Sequence, residues 1–190
     1  MNTLTIRVCL SQILSIAAIN YFPALLPNFQ AEWGLTNTEA GWISGIYFGG
    51  YAASVPILVS LTDRVDPRKI YLLSAGLGAI SLIGFGFVAQ GAWTATAFRL
   101  LAGISFAGTY MPGVRALSDS IRGANQSRAI TFYTASIGVG NALSVFLAGW
   151  LTAHFGWRWA AILMGLCPVA GVVLFAFAVR PQQPQTVDQA

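Results

Sequence analysis

The sequence is organised as long apolar runs separated by short polar connectors. Six apolar segments can be read, at about residues 6–26, 38–60, 70–90, 93–120, 127–153 and 157–179. Each is close to the roughly 20 residues that an α-helix needs to cross the hydrocarbon core of a bilayer. The pattern predicts an all-α membrane protein with six transmembrane helices over residues 1–179. Residues 180–190 are polar and contain prolines, which is typical of a tail or the start of a linker.

Turn and capping residues mark several of the segment ends. Pro23 and Pro27 predict that the first segment ends or bends there, because proline cannot complete a helical hydrogen bond. Thr36 and Glu39 stand before the second segment at the spacing of a capping box. A helix start is therefore predicted near Thr38.

A faint internal repeat relates the two halves of the chain. At an offset of 90, residues 50–73 align with residues 140–163 and match at Gly50/Gly140 and Ser54/Ser144, among other positions. Three segments separate the two copies, so the second would run through the membrane upside down relative to the first. This predicts two inverted three-helix repeats, at about residues 1–90 and 91–179, an arrangement found in many secondary transporters.

Composition supports a membrane location. Hydrophobic residues make up 56% of the chain and charged residues only 8%, so a soluble domain would lack polar residues to cover its surface. The net charge is +4, but the basic residues stand between apolar runs rather than along one face, which argues against nucleic acid as a partner. Cys9 and Cys167 lie inside apolar runs with no histidine or carboxylate at ligand spacing, so neither a disulfide nor a metal site is predicted. No cofactor is expected.

The distribution of basic residues predicts the orientation. With six crossings both termini share a side, and most of the lysines and arginines would lie on that side: Arg7, Arg64, Arg68, Lys69, Arg115, Arg122, Arg128 and Arg180. Only Arg158 falls in a connector on the other side. Because cytoplasmic connectors are enriched in Lys and Arg, we expect a multi-pass protein of the cell (inner) membrane with both termini cytoplasmic.

Three motifs resemble those of one transporter family. The connector LTDRVDPRK, at residues 61–69, is similar to the loop G-x-L-A-D-R-x-G-R-[KR] of the major facilitator superfamily, although Val59 and Asp66 stand where that family has glycine. RLLAG at residues 99–103 resembles the family's fourth helix, and FGWRWA at residues 155–160 resembles the entry to its sixth. The resemblance covers essentially the whole chain and implies the amino-terminal six-helix half of such a transporter.

This resemblance implies particular partners. They are the lipid bilayer, a small-molecule solute, and either a second six-helix half or a homodimer partner. An arginine within the segments and no deep acidic residue favour a small polar or anionic solute. A proton or another coupling ion is left open, because no acidic residue is placed deep in a segment. The chain would move its solute by alternating access and would not be an enzyme.

The charged connector would, by the same resemblance, form a cytoplasmic latch that is made in one conformation and broken in another. Its residues are Asp63, Arg64, Arg68 and Lys69. Asp119, at the end of the fourth segment, is the natural partner for Arg68 or Arg64. The alternative is that Asp119 pairs with Arg115 or Arg122 on its own helix.

Polar residues at membrane depth are the candidates for substrate binding or coupling. Arg99 lies about 12 Å into the fourth segment, where an unpaired charge is costly and normally faces a cavity or the bundle interior. The alternatives are a buried structural arginine capped by carbonyl groups and an arginine that extends outward to the membrane surface. The other candidates are polar or aromatic residues of segments one, two, four and five: Asn20, Tyr21, Tyr47, Tyr110 and Asn141.

Two further functions compete with transport. A membrane receptor or an inactive half-transporter would share the same helices without moving a solute. An intramembrane protease would need a Ser and a His on facing helices, whereas His154 falls in a connector with no serine motif beside it. The length also leaves two alternatives, a fragment of a twelve-helix protein or a half that dimerises.

Overall fold

The computed structural model describes residues 3–121 and 123–179, with the side chain of Ala124 left aside. Within these ranges the chain forms helices and no strands: α1 (Thr3–Ile16), α2 (Tyr21–Ala24), α3 (Leu26–Trp33), α4 (Asn37–Leu61), α5 (Pro67–Val88), α6 (Ala92–Ser120) and α7 (Ala124–Ala178). The predicted tail at residues 180–190 lies outside the described residues. The boundary at residue 179 therefore stays a prediction.

The first apolar segment is broken earlier than its prolines suggest. α1 ends at Ile16, residues 17–20 form a turn, and two short helices follow before Gly34. Pro23 lies in the first turn of α2 and Pro27 is the second residue of α3, positions where a proline needs no intrahelical donor. The prolines therefore begin the next short helix rather than end the long one.

The second to fourth segments form α4, α5 and α6, close to the predicted bounds. The capping box at the start of α4 is confirmed: Thr36 Oγ1 accepts from the Glu39 backbone N–H at 3.2 Å, and the Glu39 carboxylate accepts from the Thr36 N–H at 2.9 Å. Asp66 caps α5, because its carboxylate accepts from the Arg68 N–H at 2.9 Å.

The fifth and sixth segments form the two arms of α7, which meet at Gly156. This glycine has φ 77° and ψ 160°, a backbone conformation that side-chain-bearing residues rarely adopt. The bend falls between the predicted segments at 127–153 and 157–179. By length and composition, three helical stretches in the described ranges could each cross a membrane: Asn37–Leu61, Pro67–Val88 and Asn125–Ala178.

The helices pack as a bundle in which α1 lies against α7, α4 against α6, and α5 against both α6 and α7. An aromatic cluster joins the short helices to α5 and to the bend of α7; its rings are Tyr21, Phe22, Phe29, Trp33, Phe85 and Trp157. A second buried cluster lies on the opposite stretch of α5, where Tyr71 stacks on Phe175 at 3.7 Å between ring centroids. Arg99 of α6 lies beside the aromatic cluster, next to Phe22.

Candidate functional site

The break in the first segment provides a backbone acceptor for Arg99. Pro23 has no N–H, so it cannot bond the carbonyl four residues earlier, that of Ile19. The Arg99 guanidinium donates to this carbonyl from Nη1 at 2.9 Å. The helix break and the buried arginine are therefore two parts of one contact between the first and fourth segments.

Aromatic rings complete the surroundings of Arg99. The side chain is 5% exposed, and its guanidinium carbon lies 4.5 Å from the centroid of the Tyr47 ring and 5.8 Å from that of Phe22. Both distances allow cation–π attraction. Arg99 Nε is buried and has no hydrogen-bond partner in the described part of the chain. The charge is thus held by one carbonyl and two rings, without a carboxylate among the described residues.

Gly103 lets α4 approach Arg99 closely. A Cβ atom at this position would collide with the backbone carbonyl of Tyr47. Gly50 plays the reciprocal part, because a Cβ there would lie 2.7 Å from the Leu100 carbonyl oxygen. The arginine and the glycine of the R-x-x-x-G motif therefore act together, since the glycine brings the Tyr47 ring onto the guanidinium.

Asn20 and Asn141 are brought together at the same break. Asn20 Nδ2 donates to Asn141 Oδ1 at 2.8 Å, and the Asn20 backbone N–H donates to Ser144 Oγ at 2.9 Å. Asn20 directly follows Ile19, so this pair lies next to the Arg99 contact. Four of the six predicted binding residues, including Arg99 and Tyr47, thus surround one helix break.

The remaining two candidates lie in packed surroundings. Tyr21 is 1% exposed, belongs to the aromatic cluster and donates its hydroxyl to the Trp157 carbonyl. Tyr110 stacks on Phe106 and on Tyr133, with ring centroids 6.2 Å apart in each case. These contacts show that both rings pack against other side chains of the bundle.

A small cavity lies beside Arg99. It is bordered by hydroxyl groups and rings of α1, α2, α5 and α6, among them Ser15, Phe22, Phe98, Ser105 and Thr109. The volume open to the centre of a water molecule is about 30 Å³. A single water needs about 10–15 Å³ by this measure, so the space suits about two waters and not an organic solute.

The charged connector is tied to its neighbours by different contacts from those expected. Asp63 pairs with Arg115 of α6 at 2.6 Å, and Arg115 also donates to Thr62 Oγ1 at 2.6 Å. Arg68 donates from Nη2 to the Ala176 carbonyl in the last turn of α7, at 2.8 Å. A cation at a helix C-terminus is favourable because the unpaired carbonyls there carry partial negative charge.

The predicted latch partner Asp119 does not take this place in the described structure. It is exposed near the end of α6, and Arg115 turns to Asp63 instead. Arg64 and Lys69 are also exposed. Arg122, the other partner considered for Asp119, lies outside the described residues.

Two buried or partly buried polar contacts, those of Gln12 and Glu32, were not predicted from the sequence. Gln12 on α1 is fully buried and contacts Tyr71 and Tyr133. Glu32 accepts a short hydrogen bond from Trp157 Nε1 at the edge of the aromatic cluster. A glutamine within an apolar run was the available signal for Gln12, whereas nothing local in the sequence predicts the pairing of Glu32 with a residue 125 positions away.

In the described residues, a helical bundle combines a broken helix with a buried arginine, features that also occur together in secondary transporters. Residues 8–190 match the sequence profile of the Major Facilitator Superfamily. The chain therefore belongs to the Major Facilitator Superfamily, and the resemblance of its motifs is confirmed.

Individual relatives are similar over most of this chain. A probable sphingolipid transporter, spinster homolog 1 of Arabidopsis thaliana, is 29% identical over 81% of the chain and 31% of its own length. A gallate transporter of Pseudomonas putida is 26% identical over 77% of the chain and 32% of its own length. A niacin transporter of Acinetobacter baylyi is 23% identical over 86% of the chain and 36% of its own length. The chain thus spans about a third of the length of these relatives.

A solved structure confirms the fold. The crystal structure of a bacterial homolog of the human lysosomal transporter Spinster, inward-facing and unoccupied, superimposes with a TM-score of 0.80 at 18% identity. The match covers 98% of this chain and 44% of that protein. The predicted all-α membrane fold of the superfamily is therefore correct.

Proposed function

We propose that the chain forms the six-helix half of a secondary transporter that moves a small polar or anionic solute by alternating access. Arg99 carries this proposal. It is a buried cation at membrane depth with no carboxylate partner in the described structure, beside the break of the first segment. An anion that binds there would supply the missing negative charge.

A small carboxylic acid is the solute class that this chemistry favours. A carboxylate can accept from the guanidinium, while Tyr47 and Phe22 offer rings on which a flat solute can pack. Gallate and niacin, the compounds in the names of two relatives, are both small aromatic acids. Asn20 and Asn141 would add amide contacts, whereas the packing of Tyr21 and Tyr110 favours supporting roles.

The transport cycle requires a second, more open conformation. The cavity of about 30 Å³ beside Arg99 has no room for an aromatic acid. Alternating access supplies such a change, because rocking of two six-helix units opens and closes a site between them. The second unit would be another part of a longer chain or a second copy of this one. Asp63, Arg64, Arg68 and Lys69 would form the cytoplasmic latch, with Arg115 as the partner of Asp63.

The test combines binding and flux. Radiolabelled nicotinate and gallate are offered to the protein in nanodiscs for binding and in proteoliposomes for uptake. Arg99→Ala should weaken binding about 10- to 100-fold, since hydrogen bonds to charged groups contribute about 1.5–3 kcal/mol. Arg99→Lys keeps the charge and should retain part of the affinity, and Arg128→Ala, at an exposed position of α7, should have no effect.

A receptor or an inactive half-transporter is the alternative. Such a protein would bind an acid in an Arg99-dependent way, but neither the unmodified protein nor Arg99→Ala would show uptake. Equal binding by the unmodified protein and Arg99→Ala would instead contradict the proposed site.

A further inference from the structure

A second polar cluster lies inside the bundle, and the proposed transport does not use it. Gln12 on α1 is fully buried; its Oε1 accepts from Tyr133 of α7 at 2.7 Å and from Tyr71 of α5 at 3.4 Å. The Tyr133 hydroxyl also lies 3.1 Å from the Thr109 carbonyl of α6. Gln12, Tyr71, Tyr133 and Thr109 are called here the four-helix junction.

One donor of the four-helix junction lacks an acceptor. The hydroxyl groups beside the junction have hydrogen-bond partners. Ser11 donates to the Gly171 carbonyl at 2.7 Å, and Ser15 Oγ lies 3.2 Å from the Tyr71 hydroxyl. Gln12 Nε2 is buried and has no hydrogen-bond partner among the described residues. Native proteins satisfy nearly all such buried groups, with protein atoms or with internal water.

Reversing the Gln12 amide does not remove this mismatch. Turned by half a rotation, the side chain would place Nε2 against the two phenol oxygens and Oε1 where Nε2 now lies. The oxygen would then be the atom without a partner. In either orientation the four-helix junction needs one more small polar group beside Gln12.

The cavity beside Arg99 and the four-helix junction share two neighbouring residues. Ser15 and Thr109 border that cavity and also contact the two phenols of the four-helix junction. The junction offers neutral oxygens and an amide, and the described residues contain no cluster of metal-ligating side chains. We propose that an internal water binds at the Gln12 amide and connects the four-helix junction with waters in the Arg99 cavity.

Hydroxyl-radical footprinting by X-ray irradiation tests this water directly. Radicals form from the water itself, so a buried side chain is oxidised only when water lies next to it. In the protein in nanodiscs, Tyr71 and Tyr133 should be oxidised several-fold faster than Phe29, although all three are fully buried. Phe29 is the dry reference, because it belongs to the aromatic cluster and does not border the cavity.

Two variants locate the water. Gln12→Leu should lower the oxidation of Tyr133 to the rate of Phe29, because the amide that holds the water is gone. Gln90→Leu changes an exposed glutamine in the connector before α6 and should leave both tyrosine rates unchanged.

Two results would overturn the proposal. One is oxidation of Tyr71 and Tyr133 in the unmodified protein at the rate of Phe29. The other is a folded Gln12→Leu variant in which Tyr133 is still oxidised rapidly. The first comparison needs no variant, so it decides the matter even if Gln12→Leu does not fold.

Discussion

Pro23 acts on the candidate site through the hydrogen bond that it cannot make. A residue with an N–H at this position could bond the Ile19 carbonyl and continue the helix. With proline there, the carbonyl accepts from Arg99 instead. The absence of an N–H at Pro23 thus explains why the Ile19 carbonyl is available to hold the buried arginine.

Pro23→Ala should therefore weaken solute binding without unfolding the protein. The restored N–H competes with Arg99 for the Ile19 carbonyl, and we expect about a tenfold loss of nicotinate or gallate affinity, in line with the modest net strength of one hydrogen bond. Thermal stability should stay equal or rise.

Pro27→Ala is the matched control for this variant. The carbonyl four residues before Pro27 belongs to Pro23, and no described side chain donates to it. The affinity of Pro27→Ala for nicotinate or gallate should equal that of the unmodified protein. Equal losses in both variants would show that Ile19 is not specifically involved.

Sequence alone identified the chemistry of the site better than its contacts. Arg99 could be singled out because a charge at membrane depth is rare and costly. Its acceptor could not, since Ile19 contributes a backbone carbonyl and is itself an apolar residue. Tyr21 was a candidate by its position, but packing places it in the aromatic cluster. Single residues reveal their chemistry, whereas their partners depend on helix packing.

At the scale of elements, α4 and α6 are in close backbone contact at Gly50 and Gly103. Gly103→Ala would push a methyl group into the backbone of Tyr47, which cannot move without shifting α4. We expect a loss of about 1–3 kcal/mol in the free energy of unfolding, the usual cost of overpacking a close contact. Chemical denaturation in detergent measures it.

Gly45→Ala provides a control of opposite sign on α4. A Cβ at Gly45 meets nothing within 4 Å, so the substitution only removes backbone freedom from the unfolded chain. It should stabilise α4 by about 0.5–1 kcal/mol. If both variants lose the same stability, close packing of Gly103 is not the cause.

The ion pair between the charged connector and α6 should contribute little to stability. Asp63 and Arg115 are 63% and 33% exposed, and exposed pairs are worth about 0–1 kcal/mol. A double-mutant cycle with Asp63→Asn and Arg115→Gln should give a coupling energy in that range, falling as salt is added. Asp119→Asn serves as a control on the same helix, since Asp119 has no ion pair within the described residues.

Transport, rather than stability, should respond strongly to these substitutions if the connector acts as a latch. Removing either partner should change the uptake rate or the accessibility of the cavity, although stability hardly changes. Unaltered uptake in both single variants would leave the pair as an ordinary surface contact.

Element boundaries followed the sequence where local chemistry defines them. The capping box at Thr36 and Glu39 was predicted and found, and the bend at Gly156 lies between the predicted fifth and sixth segments. The early end of α1 at Ile16 was missed, because no proline or glycine marks residues 17–20. That turn depends on tertiary contacts, including the hydrogen bond from the Asn20 backbone to Ser144 on α7.

At the scale of the whole molecule, this chain spans about a third of the curated relatives named above. Large apolar side chains remain exposed along α4, including Trp42, Phe48 and Ile57, at 64%, 67% and 66%. Lipid would cover such residues without cost, and so would a second six-helix unit. The mass of the protein in the membrane therefore distinguishes a single six-helix unit from a pair of such units.

The orientation of the chain in the membrane can be measured at the two ends of α5. α5 has 22 residues, or about 33 Å at 1.5 Å per residue, so Lys69 in its first turn and Trp93 just beyond its end should lie on opposite faces of the bilayer. Both side chains are exposed. In a background with Cys9 and Cys167 replaced by serine, an impermeant maleimide should label Trp93→Cys in intact cells and Lys69→Cys only after the membrane is opened. The excess of Lys and Arg on the Lys69 side is the physical reason, because such connectors resist translocation. The reverse labelling would place the charged connector outside the cell and remove the basis for a cytoplasmic latch.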